Sequence, residues 1–400
     1  MKIGIDISQL NYEGSGVGNY TYHLVKNLLQ NDKKNEYRLF YASLHKYNLP
    51  ILTEFKKLGA SVFRYPIPHK LLHFLWGKNQ LFPIDLLTGK VDVFLFSDYL
   101  RPPIFYKTKG ITVVHDLIWK LFPEKHNKEI IYFHELKIKR TIENKDMVIV
   151  DSENTKKDLL KLYPQINKNK VNVIYPGIDE NFRPINDKKK IEKVLKKYLT
   201  FNFSLLTFNF LLYVGAIEPR KNLELSIRIF HQLINKCHPE FISGSQKEIP
   251  NQVRNDNYSN YYFIIAGRAG WKNEDVFQSI KRLKLGDKVK FIGFVEDEDL
   301  PYFYSAAKLT VYLSTYEGFG LPPLESLACG TKVIAGDNSS LKETLNPEFL
   351  VDVSDKKKIL EKMKYLLENK VKVDSEKIRK RFSWKESAKN FLNLINSIRE

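Results

Sequence analysis

Short apolar runs of strand length alternate with helix-like segments through the first half of the chain, and no other feature of the sequence restricts its fold as strongly. Residues 2–7 form the first run, in which β-branched residues alternate with others, as is typical of a strand. The later runs are at residues 37–41, 61–65, 91–96, 111–114, 147–150 and 171–175. Buried strands separated by helices are typical of a parallel sheet that is covered on both faces. The sequence therefore predicts an α/β fold.

The same pattern restarts in the second half of the chain. A break with proline and glycine at residues 175–179 precedes a lysine-rich stretch at 187–197, where we place the linker. Further strands are predicted at residues 210–214, 261–266, 289–294, 309–313, 332–335 and 349–353. Residues 238–258 are rich in Pro, Ser, Gly, Gln and Asn, which predicts an exposed insertion. A chain of 400 residues fits two domains, at about 150 residues per domain, and we place them at 1–178 and 179–384.

Charge and composition narrow the classes of function. The formal net charge is +18, but the lysines are scattered and no arginine-rich helix or RNA-binding motif is present, so we predict no nucleic-acid partner. A weak attraction to an anionic membrane surface stays open. No apolar run approaches the roughly 20 residues of a membrane span, and no signal peptide is recognisable. Two cysteines argue against a disulfide framework. The sequence predicts a cytoplasmic protein, with peripheral attachment to the inner face of the membrane left open.

Glycines and polar residues follow the predicted strands of the first half, at the strand ends where parallel sheets bind ligands. Gly16 and Gly18 lie between the strand 2–7 and a helix, although their spacing is not that of the dinucleotide fingerprint. His115 and Asp116 follow the run 111–114 directly, and we take His115 as a candidate functional residue.

The second half repeats this arrangement with cations. Gly215 follows a strand, and the adjacent Arg220 and Lys221 precede the next helix. Arginine can bind two phosphate oxygens at once and lysine acts as a point charge, so the pair is suited to a diphosphate. Gly267 and Arg268 form a second glycine turn at the end of the run 261–266. A pair of surface cations is common in so basic a chain, and the pattern alone leaves that interpretation open.

Residues 314–325 combine the features of a ligand-binding loop. The run 309–313 is followed by Glu317, Gly318 and Gly320, and a helix is predicted from residue 324, with Glu325 in its first turn. Glycines let a ligand approach the backbone closely, and a helix N-terminus attracts phosphate. The two carboxylates are suited to hydroxyl groups, because an ionised carboxylate accepts several hydrogen bonds. A ligand with a phosphate centre and hydroxylated groups on either side is a nucleotide sugar.

The sequence Glu-Gly-Phe-Gly-Leu-Pro at residues 317–322, with Glu325 eight positions after Glu317, resembles the signature of the retaining, nucleotide-sugar-dependent glycosyltransferases of family 4. The Pro-Arg-Lys-Asn sequence at 219–222 also matches the family. The resemblance implies the GT-B fold, in which two Rossmann-like, doubly wound parallel-sheet domains enclose a cleft. It also implies that the last helix, residues 385–400, packs back on the first domain. One departure is Ala216, where many members carry an arginine.

The resemblance also implies roles for individual residues. Glu317, His115, Arg220 and Lys221 are the expected catalytic residues, with Glu317 and His115 near the hydroxyls of the transferred sugar. Arg220 and Lys221 are expected to hold the diphosphate, and Glu325 the ribose. The remaining expected donor-binding residues are Gly16, Gly18, Gly215, Gly267, Arg268, Val295, Gly318, Phe319, Gly320 and Leu321. No cofactor and no metal ion are expected, since the acidic residues at 297–299 are better explained by helix capping.

The function implied is transfer of a hexose, as in mannosyltransferases, from a nucleoside-diphosphate sugar to a saccharide or lipid-linked acceptor in cell-envelope polysaccharide or lipopolysaccharide synthesis. Two alternatives stay open at this point. One is a non-catalytic protein whose basic surface binds nucleic acid or a membrane. The other is a nucleotide-sugar epimerase of the same architecture.

Overall fold

The computed structural model describes the chain apart from residues 13, 45, 47, 48, 202, 206, 236–257, 269, 271–273 and 400. Apart from Tyr258, the insertion expected at 238–258 lies outside the described residues. The chain divides into two compact units, Met1–Asp179 together with Lys380–Glu400, and Glu180–Arg379. Within the described ranges, no helix is both long enough and apolar enough to span a bilayer.

The first unit contains a parallel sheet, which in the described part of the chain has the order β3-β2-β1-β4-β5-β6-β7. Its strands are β1 (Lys2–Asp6), β2 (Glu36–Ala42), β3 (Ser61–Tyr65), β4 (Val93–Phe96), β5 (Lys109–Val114), β6 (Met147–Val150) and β7 (Val171–Val173). The connecting helices are α1 (Gly16–Asn31), α2 (Pro50–Lys57), α3 (His69–Leu72), α4 (Ile84–Thr88), α5 (Ile118–Leu121), α6 (Lys128–Glu143) and α7 (Glu153–Leu162). Strands β4, β5 and β6 are buried almost throughout, because helices cover both faces of the sheet.

The second unit repeats the arrangement, with a parallel sheet of order β10-β9-β8-β11-β12-β13 among the residues described. Its strands are β8 (Asn209–Val214), β9 (Tyr261–Ala266), β10 (Val289–Gly293), β11 (Leu309–Tyr312), β12 (Val333–Gly336) and β13 (Leu350–Val351). Its helices are α8 (Lys188–Tyr198), α9 (Leu223–Ile234), α10 (Glu274–Arg282), α11 (Leu300–Ala306), α12 (Leu321–Ala328), α13 (Leu341–Thr344), α14 (Lys356–Glu368) and α15 (Ser375–Arg381). The two parallel sheets confirm the predicted α/β class.

Each sheet reverses its strand order once, between β1 and β4 in the first unit and between β8 and β11 in the second. At such a reversal the loops that follow the two central strands diverge to opposite faces of the sheet, which opens a crevice where ligands bind. The loop after β8 carries Arg220 and Lys221, and the loop after β11 carries Glu317. The topology of the second unit therefore brings these side chains to one place.

The last helix, α16 (Trp384–Arg399), belongs to the first unit and packs against α1. The residues just before this helix pair with the segment that follows β7. The Ile178 amide donates to the Phe382 carbonyl over 2.9 Å. The Ser387 hydroxyl donates to the Tyr175 carbonyl over 2.6 Å. A β-carbon at Gly177 would lie 2.0 Å from the backbone nitrogen of Trp384. Glycine is therefore required here for the close approach of two backbones.

Three expectations about local structure were wrong. Helix α12 begins at Leu321, three residues earlier than expected, because prolines at 322 and 323 are tolerated in a first turn that has no internal N–H bonds. Glu325 consequently lies beyond the first turn. Gly16 and Gly18 lie inside the first turn of α1 rather than in a loop before it. Of the two residues expected to cap α11, Asp299 stands at its N-terminus but does not cap it, since its carboxylate accepts from Lys197 and Tyr198; capping by Asp297 stays a prediction.

We expect Gly177→Ala to destabilise the first unit by about 1–3 kcal/mol, because the added methyl group must push α16 away from the sheet. The melting temperature should fall by several degrees. Gly286→Ala is the matched control, since a β-carbon there meets no heavy atom within 4 Å. Equal melting temperatures for Gly177→Ala and the control would show that the two backbones are not in this close contact.

Candidate functional site

The centre of the candidate site is a buried carboxylate held by two cations. Glu317 is 5% exposed. Its Oε2 accepts from Arg220 Nη1 over 2.9 Å, and its Oε1 accepts from Lys221 Nζ over 2.7 Å. Lys221 is itself 7% exposed. The structure therefore brings together three of the four expected catalytic residues.

Tyr312, at the end of β11, completes the environment of the lysine. Lys221 Nζ donates to the Tyr312 hydroxyl over 2.6 Å and lies 4.9 Å from the centre of its ring. The lysine is the last residue of the short turn Pro219–Lys221, which is followed by Asn222, whose φ of 54° is left-handed. Asparagine tolerates this conformation better than most residues. The turn directs Lys221 under the loop that carries Glu317.

Backbone and hydroxyl hydrogen bonds hold the two loops together. The amide and the hydroxyl of Thr315 both donate to the Arg220 carbonyl, over 2.9 and 3.1 Å. The Glu317 amide donates to the Ser339 hydroxyl, and the Ser340 hydroxyl donates to the carbonyls of Glu317 and Phe319. The sequence analysis missed both serines. Both serines lie in the polar sequence that follows β12 directly, at the same edge of the sheet, and this position could have indicated their role.

The charges of the cluster shift the pKa values of Glu317 and Lys221. Burial alone would raise the pKa of Glu317, but Lys221 and Arg220 outweigh it and lower that pKa to about 2. Burial and the nearby Arg220 lower the pKa of Lys221, against the opposing effect of Glu317. Arg220 also donates from Nε to Glu218 Oε2 over 2.9 Å. The side chain of Glu218 is 21% exposed, whereas that of Glu317 is 6% exposed.

Gly215 and Gly267 have a structural reason to be glycine. Gly267 has a φ of 152°, and a β-carbon there would lie 1.9 Å from the Gly215 carbonyl oxygen. The turns after β8 and β9 therefore pack directly on each other. Arg268, in the second turn, is exposed, and its guanidinium lies 4.5 Å from the centre of the Phe294 ring. Val295 is buried. Donor binding by these four residues stays a prediction.

The loop before α12 is less suited to phosphate than expected. Gly320 adopts a left-handed φ of 93° at the N-terminus of the helix. The prolines at 322 and 323 remove two of the helix's first four N–H groups. Gly318 and Leu321 are half-buried and Phe319 is buried. The Glu325 carboxylate accepts from the Tyr304 hydroxyl over 2.9 Å, and so has a different partner from Glu317.

In the first unit, both expected glycines lie at the start of α1. Ser15 caps the helix by accepting from the Gly18 amide over 3.0 Å. A β-carbon at Gly18 would lie 2.8 Å from the Ser15 hydroxyl, whereas one at Gly16 would meet no heavy atom within 4 Å. Only Gly16 therefore leaves open space beside the backbone.

His115 follows β5 and is bonded at both ring nitrogens. Nδ1 lies 2.7 Å from the Asp151 carboxylate, and Nε2 lies 3.1 Å from the Ser97 carbonyl. The Ser97 carbonyl can only accept, and so can Asp151 when it is ionised; in that state both nitrogens donate and the ring is an imidazolium. Burial alone would lower the pKa of His115, but Asp151 outweighs it and raises the pKa. Asp151 Oδ1 is buried and has no hydrogen-bond partner among the residues described.

Two further groups surround this pair. Tyr20 on α1 packs edge-on against His115, with ring centres 4.7 Å apart. Lys137 on α6 is buried, and its Nζ donates to the Val113 carbonyl over 2.6 Å. Burial lowers the pKa of Lys137 to about 8, against the nearby Asp98, Asp151 and Asp116. The sequence analysis did not assign Asp151 or Lys137 to the site. Asp151 follows β6 directly, whereas nothing in the sequence distinguishes Lys137 from other helical lysines.

Two family models match this chain. "Glycosyl transferases group 1" matches residues 201–391, and "Glycosyltransferase Family 4" matches residues 14–182. The two ranges take in most of both units. In the described ranges, no group of three or more His, Cys, Asp or Glu side chains is arranged to hold a metal ion.

Curated relatives include mannosyltransferases. O-antigen chain mannosyltransferase B of Escherichia coli is 25% identical over 366 residues, which are 88% of this chain and 86% of that protein. The serotype-specific mannosyltransferase WbdA of Escherichia coli is 27% identical over 266 residues, 64% of this chain and 29% of that protein. This chain thus spans less than a third of WbdA.

Solved structures confirm the GT-B fold. Anabaena Alr3699/HepE, solved in complex with UDP and glucose, superposes with a TM-score of 0.70 at 17% identity, over 99% of both chains. WaaG, a glycosyltransferase involved in lipopolysaccharide biosynthesis, superposes with a TM-score of 0.63 at 13% identity, over 98% of this chain and 95% of that one.

We expect the ion pairs of Glu317 to make the second unit acid-sensitive. The pKa of Glu317 is depressed in the folded protein, so its ion pairs stabilise the fold above an ordinary pKa of 4.5 and are lost as the pH falls from 4.5 towards 2. Between pH 6 and pH 3, urea denaturation should show a loss of roughly 1–3 kcal/mol more for the natural protein than for Glu317→Gln. Glu361→Gln, on the exposed face of α14, is the control. Parallel pH curves for the natural protein and Glu317→Gln would contradict this origin of the stability.

We also expect Asp151→Asn to lower the pKa of His115, because the amide cannot compensate a charged ring. The measurement is an NMR titration of the His115 ring. Asp116→Asn is the matched comparison and should lower the pKa of His115 less, since Asp116 raises it through its charge alone whereas Asp151 also bonds the ring. An unchanged His115 titration in Asp151→Asn would show that the pair does not form in solution.

Proposed function

The chain belongs to the glycosyltransferases of group 1 and family 4, and we propose that it transfers a hexose from a nucleoside-diphosphate sugar to a saccharide or lipid-linked acceptor with retention of configuration. The observation that carries the proposal is the cluster of Glu317, Arg220 and Lys221 at the strand-order reversal of the second sheet. Neither alternative, a non-catalytic protein that binds nucleic acid or a membrane surface or a nucleotide-sugar epimerase, finds support in the comparisons.

Arg220 and Lys221 are proposed to bind the donor diphosphate. A guanidinium has five N–H groups and an ammonium has three, so each cation can bond a phosphate oxygen while it keeps a carboxylate partner. In this proposal the diphosphate replaces Glu218 as a partner of Arg220, because the Glu218 side chain is more exposed than the Glu317 side chain. Fixed cations in a buried site also stabilise the negative charge that grows on the diphosphate as the sugar leaves.

Glu317 is proposed to have two tasks. Its ion pairs fix the positions of the two cations. Each of its oxygens accepts one hydrogen bond from Arg220 or Lys221 and can accept another, so hydroxyls of the donor sugar can bind there as well. For Glu325 we propose the ribose hydroxyls, with the Tyr304 hydroxyl fixing the carboxylate.

His115 is proposed to bind a hydroxyl of the transferred sugar through Nε2, where the hydroxyl would share or replace the Ser97 carbonyl as the acceptor. Asp151 and the Ser97 carbonyl hold its ring in one orientation. In the proposed step the bond between the sugar C1 and the diphosphate breaks, and the acceptor oxygen bonds C1 on the same face. The acceptor's proton passes to the leaving diphosphate oxygen. This route requires neither a covalent intermediate nor a metal ion.

The names of relatives support a class of acceptor. Two are O-antigen chain mannosyltransferases, which supports mannose as the hexose and a cell-envelope polysaccharide or lipopolysaccharide precursor as the acceptor. We propose that the reaction takes place in the cytoplasm, on the inner face of the membrane.

The test is donor binding, measured as a thermal shift with a panel of nucleotide sugars in the presence of a chelator. The natural protein should be stabilised by at least one of them. Lys221→Met should lose the shift, with affinity lower by about 100-fold or more. Lys308→Ala, an exposed lysine of the same unit, should keep it.

Lys221 is buried against Glu317, so its removal leaves a buried charge with one cation fewer and destabilises the fold. The double variant Lys221→Met/Glu317→Gln removes both charges and serves as the folded reference. It should melt as a folded protein and show no donor shift. A full donor shift in either variant would overturn the assignment of Lys221.

A further inference from the structure

Most of the large hydrophobic side chains exposed by the described residues lie in one part of the first unit. Six of them lie on segments that are joined by hydrogen bonds. These are Phe74, Leu81, Phe82, Leu86, Phe105 and Tyr106, which we call the apolar surface. Phe74, Phe82 and Phe105 are 54%, 60% and 67% exposed. Large apolar patches are rare on a soluble protein unless they contact another molecule.

Backbone hydrogen bonds join the segments that carry the apolar surface. The Leu81 amide donates to the Leu75 carbonyl over 2.8 Å, which places Leu81 beside the helical turn that carries Phe74. The buried Asp85 carboxylate accepts from the amides of Phe105 and Tyr106, over 2.8 and 2.9 Å. This bond fixes the second aromatic pair beside α4 and Leu86.

The turn between the π-helical residues His73–Lys78 and α4 is rigid. Trp76 is buried, and its indole N–H donates to the Phe82 carbonyl over 2.9 Å. The Gln80 side chain donates to the Trp76 carbonyl over 2.7 Å. Arg140, on α6, donates to the Gly77 carbonyl over 2.6 Å. The apolar side chains are thus presented by a fixed backbone.

This backbone is also strained. Gln80 and Phe82 have φ values of 51° and 63°, in the left-handed region that bulky residues avoid. Such strain persists where the surrounding contacts enforce it, and it is concentrated at functional positions. Here the strain holds Phe82 in solvent. Backbone strain and an exposed phenyl ring both lower the stability of the folded protein in water. Contact with an apolar phase would offset the cost of exposing the ring.

The segments of the apolar surface carry exposed lysines, and one exposed carboxylate from α6, Glu129, lies 3.9 Å from His73 Nδ1. Lys70, Lys90 and Lys107 are exposed. Within residues 66–90 and 103–109 the only carboxylate is Asp85, which is buried and accepts three hydrogen bonds. Lysines that surround exposed aromatic and aliphatic side chains complement a lipid surface with anionic headgroups.

We propose that the apolar surface docks on an anionic lipid bilayer, with Phe74, Leu81, Phe82 and Phe105 inserted among the headgroups and the lysines against lipid phosphates. The binding itself is independent of catalysis, but its purpose rests on the proposed function. The segment that carries Phe74 also carries His69 and His73, whose rings lie 3.1 and 2.8 Å from the Tyr99 hydroxyl.

Tyr99 follows β4 two residues after Ser97, whose carbonyl accepts from His115. A bilayer docked at the apolar surface would therefore bring a lipid-linked saccharide to the side of the first unit that carries His115. Membrane docking at the apolar surface is therefore consistent with a lipid-linked acceptor.

The test is sedimentation of the full chain with vesicles of phosphatidylglycerol and phosphatidylcholine, compared with vesicles of phosphatidylcholine alone. The natural protein should bind the anionic vesicles at least tenfold more tightly. Leu81→Ser/Phe82→Asn should weaken that binding at least tenfold, and asparagine tolerates the left-handed position. Phe277→Ser/Tyr365→Ser, which removes two exposed rings from the second unit, is the matched control and should bind as the natural protein does.

Lys70→Glu/Lys107→Glu should reduce the preference for anionic lipid. The donor-induced thermal shift of every variant is measured on the same samples, so that loss of the fold or of donor binding is detected separately. Failure of the natural protein to sediment, as expected if the surface binds a protein instead, would overturn the proposal. So would equal binding by Leu81→Ser/Phe82→Asn. If either result is obtained while the donor-induced thermal shift is intact, the membrane proposal is overturned and the proposed enzyme function is not.

Discussion

The second unit depends on one buried arrangement of charge, in which the Glu317 carboxylate is bonded to Arg220 and Lys221. Burying any one of these groups alone would cost several kcal/mol, so each requires the others. The pairing joins loops that are 96 residues apart in the sequence. It also holds two cations in fixed positions before any ligand arrives, which is the preorganisation that stabilisation of a leaving diphosphate requires.

The sheet topology determines where this charge lies. The strand order reverses between β8 and β11, and the loops after these two strands carry the cations and the carboxylate. In the first unit the reversal lies between β1 and β4, and the adjacent strands β5 and β6 end at His115 and Asp151, which form a second charged pair. One architecture, used twice, thus produces a cationic site in one unit and an imidazolium in the other.

Much of this was accessible from sequence, because strand ends and glycine turns are local features. The run of Glu317, Gly318 and Gly320 and the pair Arg220–Lys221 were recognised in this way. The partners of these residues were not, because Tyr312 and Ser339 reach them only through the order of the strands. The same holds for Asp151, the partner of His115 in the first unit. The start of α12 was misplaced because prolines 322 and 323 were taken as flanking the helix rather than as part of its first turn.

The central claim is that Arg220 and Lys221 form the seat of the donor diphosphate. A crystal structure of the full chain soaked with UDP and, in parallel, with GDP tests it most directly. The account predicts diphosphate oxygens within hydrogen-bonding distance of the Arg220 guanidinium and of Lys221 Nζ, with Glu317 still bonded to the lysine. A diphosphate bound elsewhere, with the contact between Arg220 and Glu218 undisturbed, would contradict it.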